Sequence, residues 1–236
     1  MDLSRNQIAA FKIGLSDLKN LQDLNLKGNL IAEISDDFFS QVPNLVTLNL
    51  NQNGITGIQP LAFKGLDNLQ NLTLSSNKLS SIHYGSFEPL KKLVKLHLDS
   101  NILESLPEGI SHLKSLQFLD LGENKIEVIP EGLLQNCPNL RLLELKANPL
   151  STIHPDAFIF LPSLEKLAIS EAKDIKQFPN LNGTHSLKSI KFDRSKIAYV
   201  PQDICLHAMN LKSLELKSNE LEVMPSLKGC YNLRVM

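Results

Sequence analysis

The chain has no tryptophan, three tyrosines and three cysteines, and its 24 lysines and arginines are balanced by 25 aspartates and glutamates. Each scarcity closes off a class of function. With a formal net charge of -1 and basic residues interleaved among acidic ones, there is no electropositive footprint for a nucleic acid or an anionic membrane surface. No apolar run approaches the ~20 residues that a membrane span requires. The opening "MDLSRNQIAAFKIG" lacks a basic segment followed by an apolar core, so no signal peptide is visible in it. A phosphate-cradling glycine loop, zinc-type Cys/His spacing and a Ser/His/Asp arrangement are missing as well. Neither catalysis nor a cofactor, a metal or a small-molecule substrate is therefore expected. The ordinary apolar share of 42% still marks a folded protein rather than a disordered one.

What the chain does have is periodic leucine. The unit L-x-x-L-x-L-x-x-N recurs as "LQDLNLKGN", "LVTLNLNQN", "LQNLTLSSN", "LVKLHLDSN", "LQFLDLGEN" and "LRLLELKAN", then weakens to "LEKLAISEA" and "LKSIKFDRS" before returning as "LKSLELKSN". Its closing positions are 23 or 24 residues apart, the period of a leucine-rich repeat. No unit can bury its leucines alone, so the units must stack into a parallel sheet over a shared core. The expected architecture is an α/β horseshoe, with a curved parallel sheet on the concave face and irregular or short helical segments on the convex face. Residues 1–236 read as one domain of nine full repeats. "MDLSRN" and "LRVM" read as partial repeats at the ends of a piece of a longer protein. A second apolar column, Leu15, Phe39, Phe63, Phe87, Ile110, Leu134 and Phe158, should fill the convex side. Cys137 sits at another apolar position of the return segment and reads as a buried small residue.

Asparagine closes seven units in succession, at Asn6, Asn29, Asn53, Asn77, Asn101, Asn124 and Asn148, and again at Asn219. An inward amide there can both donate to and accept from neighbouring turns. Ala172 cannot do this, and Ser195 offers only a hydroxyl. The ladder is therefore irregular over 170–196, where "KDIKQFPNLNGTHS" also brings Pro179 and Gly183. The lapse fits either simple decay of the repeat or a bend in the solenoid.

Within each strand the third, fifth and seventh residues of the unit face the concave solvent side, because side chains alternate along a strand. Most of these columns are polar, but the central repeats place Phe118 and Leu142 side by side, flanked by Asp99, Asp120 and Glu144. This is an apolar anchor with an acidic border, suited to a protein ligand that inserts an aromatic or aliphatic side chain and adds a lysine or arginine. It is equally readable as ordinary scattered apolar surface. Asn71-Leu72-Thr73 on the strand face and Asn182-Gly183-Thr184 in a loop fit the N-glycosylation sequon.

The run from "NPLSTIHPDAFIFLPSLEKLAIS" through "IKQFPNLNGT" to "YVPQDIC" and "MPSLKGC" resembles the ectodomain of the leucine-rich-repeat-containing G-protein-coupled receptors. The resemblance is to the long, many-repeat branch that includes the R-spondin receptors and the insect bursicon receptor. It implies an extracellular recognition module that binds a secreted cysteine-rich protein ligand on its concave face. It also implies a place on the outer face of the plasma membrane, anchored only through segments absent from this chain, and a disulfide between Cys205 and Cys230, which lie one repeat apart. Asn182 departs from that family's pattern, which often has threonine there. A secreted adhesion or matrix protein is the alternative. A cytosolic scaffold is a third reading, suggested by the Leu-Pro and Ile-Pro exits of "LESLPEGI" and "IEVIPEGL".

Overall fold

The computed structural model describes residues 1–9, 17–172 and 174–234. Among them, nine three-residue strands form one parallel sheet in chain order: Asp23–Asn25, Thr47–Asn49, Asn71–Thr73, Lys95–His97, Phe118–Asp120, Leu142–Glu144, Lys166–Ala168, Ser189–Lys191 and Ser213–Glu215. The register follows the repeat. The central residues Leu24, Leu48, Leu72, Leu96, Leu119, Leu143, Leu167, Ile190 and Leu214 stack as successive Cα partners, and all are buried. A slip of one residue would turn this whole row to solvent, so the leucine pattern itself fixes the pairing.

Each chain return must reach the next strand within one repeat, which leaves room only for short elements. Among the described residues, two 3₁₀ turns, Tyr84–Phe87 and Glu108–His112, one helical turn, Ile204–His207, and two pairs of two-residue parallel strands, Glu33–Ile34 with Gly57–Ile58 and Val128–Ile129 with Thr152–Ile153, occupy it. The first is started by His83, whose Nδ1 accepts from the Gly85 N–H at 3.1 Å, and Pro89 follows its end. Behind these turns the aromatic column forms as expected. Phe39, Phe63 and Phe87 are fully buried and stack with centroids 6.2 and 6.3 Å apart, and Ile110, Leu134 and Phe158 continue the row. Leu15 lies outside the described residues.

The asparagines build a doubled ladder. Asn77, for example, donates through Nδ2 to Leu50 O and Leu74 O at 3.0 and 2.9 Å and accepts at Oδ1 from the Ile55 N–H. Each carbonyl of the regular row thus receives its own asparagine and the next one. At Ala172 and Ser195 those amides are missing, and the Ser195 hydroxyl has no hydrogen-bond partner among the described residues. The strand pairing nevertheless runs through without a gap, as does the tight turn after each strand. The residue before each ladder position from Gln52 to Ser218 is left-handed, with φ from 52° to 66°, and this includes Glu171 at 66° and Arg194 at 54°. Backbone bonds hold the turn there, from Ala147 N–H to Ser170 O and from Glu171 N–H to Asp193 O, both 2.8 Å. In the following return, Gly183 at φ 88° packs onto the previous repeat so closely that a Cβ would lie 2.1 Å from Ile159 O. That contact requires glycine.

Candidate functional site

The concave residues singled out by sequence come together. Phe118 is the Cα partner of Leu142 and Asp120 that of Glu144, so the four form a block on adjacent strands. All four are half-buried. The His97 ring lies against Phe118 with centroids 4.5 Å apart, and the imidazole, absent from the sequence-derived set, walls one side of the aromatic anchor. Burial lowers its pKa, against the pull of Asp99, so the ring is neutral at neutral pH.

The acidic border is unequal. Burial pushes the Asp120 carboxyl up to about 6; the Gly122 N–H, which it accepts at 3.0 Å, opposes the shift, while Asp99 and Glu144 add to it. Asp99 accepts a hydrogen bond from the Ser75 hydroxyl. Glu144 is held in an ion pair by Lys166 of the next repeat. The free negative charge therefore lies towards Asp99 and Asp120. The nitrogen of His97 and the carboxylates of Asp99 and Asp120 lie within 4.8 Å of one another, as do those of Glu131, His154 and Asp156 on the return side; either set could hold a divalent cation.

Beyond Leu142 basic side chains join the acids on the face. A hollow of about 610 Å³ runs from Phe118 across the low floor of Ala168 and Ser170 to Lys191 and Lys217. Sequence columns showed these lysines but not their reach. The signal lay in pairs between adjacent strands, on the diagonal where Glu144 meets Lys166 and along one column where Lys191 meets its register partner Glu215.

The remaining predicted residues are placed as follows. Cys205 and Cys230 are joined in a disulfide with Cα atoms 4.9 Å apart. Cys137 is a buried free thiol, pushed up to about 12 by burial, with Sγ 3.5 Å from Ile110 O, and so is unsuited to nucleophilic chemistry. Asn71 is half-buried on the concave strand Asn71–Thr73, two strands from Phe118, and Asn182 is exposed in its loop above a buried Thr184 that donates to Leu181 O at 2.6 Å.

Comparison with known proteins agrees with this geometry. A family model described as leucine rich repeat matches residues 1–54, 19–79, 43–103, 68–126 and 114–171. Over 124 residues the chain is 37% identical to Leucine-rich repeat-containing G-protein coupled receptor 4 of Mus musculus, a match covering 52% of this chain and 13% of the receptor. Its fold is similar to a chain in the octameric complex of Latrophilin 3, Unc5D and FLRT2, with a TM-score of 0.86 and 27% identity over 98% of this chain and 72% of that one. It is also similar to the protein of a TLR13–ssRNA13 complex, with a TM-score of 0.86 and 25% identity over 94% of this chain and 33% of that one. The relative matched by sequence is thus named a receptor, and this chain spans about an eighth of its length.

Proposed function

Because the chain belongs to the leucine-rich-repeat family, we propose that it is the ligand-recognition module of an extracellular receptor resembling the leucine-rich-repeat G-protein-coupled receptors. Its partner is a protein, such as a secreted cysteine-rich factor, bound on the concave face. One observation carries this reading: Phe118 and Leu142 stand in register on a mostly polar face, half-exposed, beside the free acids Asp99 and Asp120. An apolar pair with charge at its edge is what an interface hot spot requires. The Cys205–Cys230 bond supports a secretory route, and use of the sequons at Asn71 and Asn182 belongs to the same reading. Membrane anchoring and G-protein coupling would reside in segments outside this chain.

The test is a binding screen of the secreted chain against secreted cysteine-rich proteins, followed by substitution. Phe118→Ala should weaken binding by about 2 kcal/mol, roughly 30-fold. It should leave the fold intact, whereas Phe63→Ala in the stacked column should destabilise it by about 3 kcal/mol or more. Unchanged affinity in both Phe118→Ala and Leu142→Ala, in folded protein, would move the site off this face. An adhesion or matrix role is the second reading; the likeness to a chain in the complex of Latrophilin 3, Unc5D and FLRT2 supports a protein partner. Capture of a membrane-anchored protein rather than a soluble factor would support it.

A further inference from the structure

Resting on the reading of the concave face as a protein-binding surface, we infer that the hollow beyond Leu142 is a second subsite, which receives a carboxylate side chain from the same ligand. Its floor is low because Ala168 and Ser170 stand where neighbouring repeats carry Glu144, Lys146, Lys191 and Asp193. The hollow is therefore an indentation one side chain deep, and Phe118 lines its near end.

The charges around it are layered. The Glu144 and Asp193 side chains are only 16% exposed, beneath lysines that are 42% and 39% exposed, Lys166 and Lys191 respectively. Lys217, at the far wall, makes no ion pair among the described residues. At its far end an incoming group thus meets cations first, because Glu144, Asp193 and the 46% exposed Glu171 are each paired, with Lys166, Lys191 and Arg194. Asp120, with no ion pair among the described residues, stands at the Phe118 end. Each ammonium has three donors; Lys166 gives one to Glu144, Lys191 is shared between Glu215 and Asp193, and Lys217 is unpaired among the described residues, so donors remain for a new acceptor. The partial neutralisation from below suits a singly charged carboxylate. A cationic side chain would be repelled by the rim before reaching the acids.

The floor supplies an independent observation. Ser170 is 7% exposed, and its hydroxyl has no hydrogen-bond partner among the described residues. A buried hydroxyl left unpaired is destabilising. Turned about its χ1 bond towards the hollow, the hydroxyl would donate to an oxygen acceptor seated there and relieve that cost. The floor at Ala168 lies two strand spacings, ~10 Å, from Phe118, and the strands of the repeats that carry Lys191 and Lys217 lie three and four spacings away, ~14 and ~19 Å, which one extended ligand segment covers in about three to six residues. The face is consequently bipolar: an aromatic side chain against Phe118 and Leu142, a basic group towards Asp99 and Asp120, and an acidic group towards Lys191 and Lys217. This polarity fixes the direction in which a ligand lies across the repeats.

Phage-displayed, disulfide-closed random peptides selected on the folded chain test the subsite. The peptides analysed are those whose binding is lost in Phe118→Ala. They should be enriched in aspartate or glutamate near an aromatic residue. The doubly substituted Lys191→Glu, Lys217→Glu chain should lose that enrichment and gain lysine or arginine in its place. A selected acidic peptide should bind this variant about tenfold more weakly, and the same peptide with its acid changed to the amide should lose about tenfold on the original chain and no more on the variant. Ser170→Ala should weaken the acidic peptide by about threefold without lowering thermal stability. Peptides that depend on Phe118 but show no acidic preference would overturn the subsite and leave the concave reading standing. If no recovered peptide depends on Phe118 or Leu142, or none is recovered, the concave reading itself fails and the subsite with it.

Discussion

Replacing Asn148 with alanine should destabilise the fold by about 2 kcal/mol more than replacing Asn124, although the two residues occupy the same place in the repeat. Asn124 donates through Nδ2 to Leu98 O, Leu121 O and Gly122 O, all at 3.0 Å, and accepts from the Leu103 N–H. Every one of those carbonyls has a second donor: Asn101 serves Leu98 O, Asn148 serves Leu121 O and the Ser100 N–H serves Gly122 O. Asn124→Ala therefore strands one group, the Leu103 N–H. Asn148 is the last amide before the lapse. It donates to Leu121 O at 2.9 Å, which keeps Asn124, and to Leu145 O at 3.0 Å, which has no other donor among the described residues because Ala172 stands where the next amide would be. It also accepts from the Ile126 N–H at 3.0 Å. Asn148→Ala thus strands two buried groups. At about 1–3 kcal/mol for each unpaired buried group, the expected losses are about 2 kcal/mol for Asn124→Ala and about 4 for Asn148→Ala. The cavity contribution is common to both and cancels in the comparison. Urea unfolding with a slope of about 3 kcal/mol per molar would separate the midpoints by ~0.7 M. Hydrogen exchange should rise at Leu103 in one variant and at Ile126 in the other. Adding Ala172→Asn to Asn148→Ala returns a donor to Leu145 O and should narrow the gap. Equal losses, or a larger loss for Asn124→Ala, would refute the ladder accounting.

Two further outcomes follow from the site and its surroundings. Removing the Cys205–Cys230 bond, which closes 25 residues of sequence, should cost about 3.5 kcal/mol by chain entropy, measurable by thermal unfolding of the double serine variant; recovery of both cysteines as free thiols from secreted material would refute the pairing. Asp120, with its pKa raised from 3.8 to about 6 by burial, binds a proton more tightly folded than unfolded, so its contribution favours the fold below pH 3.8, declines as pH rises to about 6 and stays lower above that. Asp120→Asn should accordingly raise the melting temperature above pH ~7 and change it little below pH ~4, and an equal shift at both would show that burial does not perturb the carboxyl.

The sequence by itself determined which residues are inside. In a solenoid each repeat touches only its neighbours, so a period of 23 or 24 together with two-residue alternation in the strand specifies the leucine rows, the ladder amides and the Phe39, Phe63 and Phe87 column without any long-range information. It also showed where the ladder lapses, but not what the lapse does. Only the tertiary structure shows the strands and left-handed turns continuing through Ala172 and Ser195, because backbone bonds between repeats carry the turn when the side-chain amide is missing. The same division holds on the concave face. Phe118, Leu142, Asp99, Asp120 and Glu144 were legible as a patch, since alternation alone sends them outward. Their electrostatics was not, because a lysine side chain reaches across one strand spacing: Lys166 covers Glu144, Lys191 bridges Asp193 of its own repeat and Glu215 of the next, and the small residues Ala168 and Ser170 leave the hollow between them. Which charge a ligand meets first depends on side-chain reach and on the space beneath it, and those are settled between repeats rather than within one.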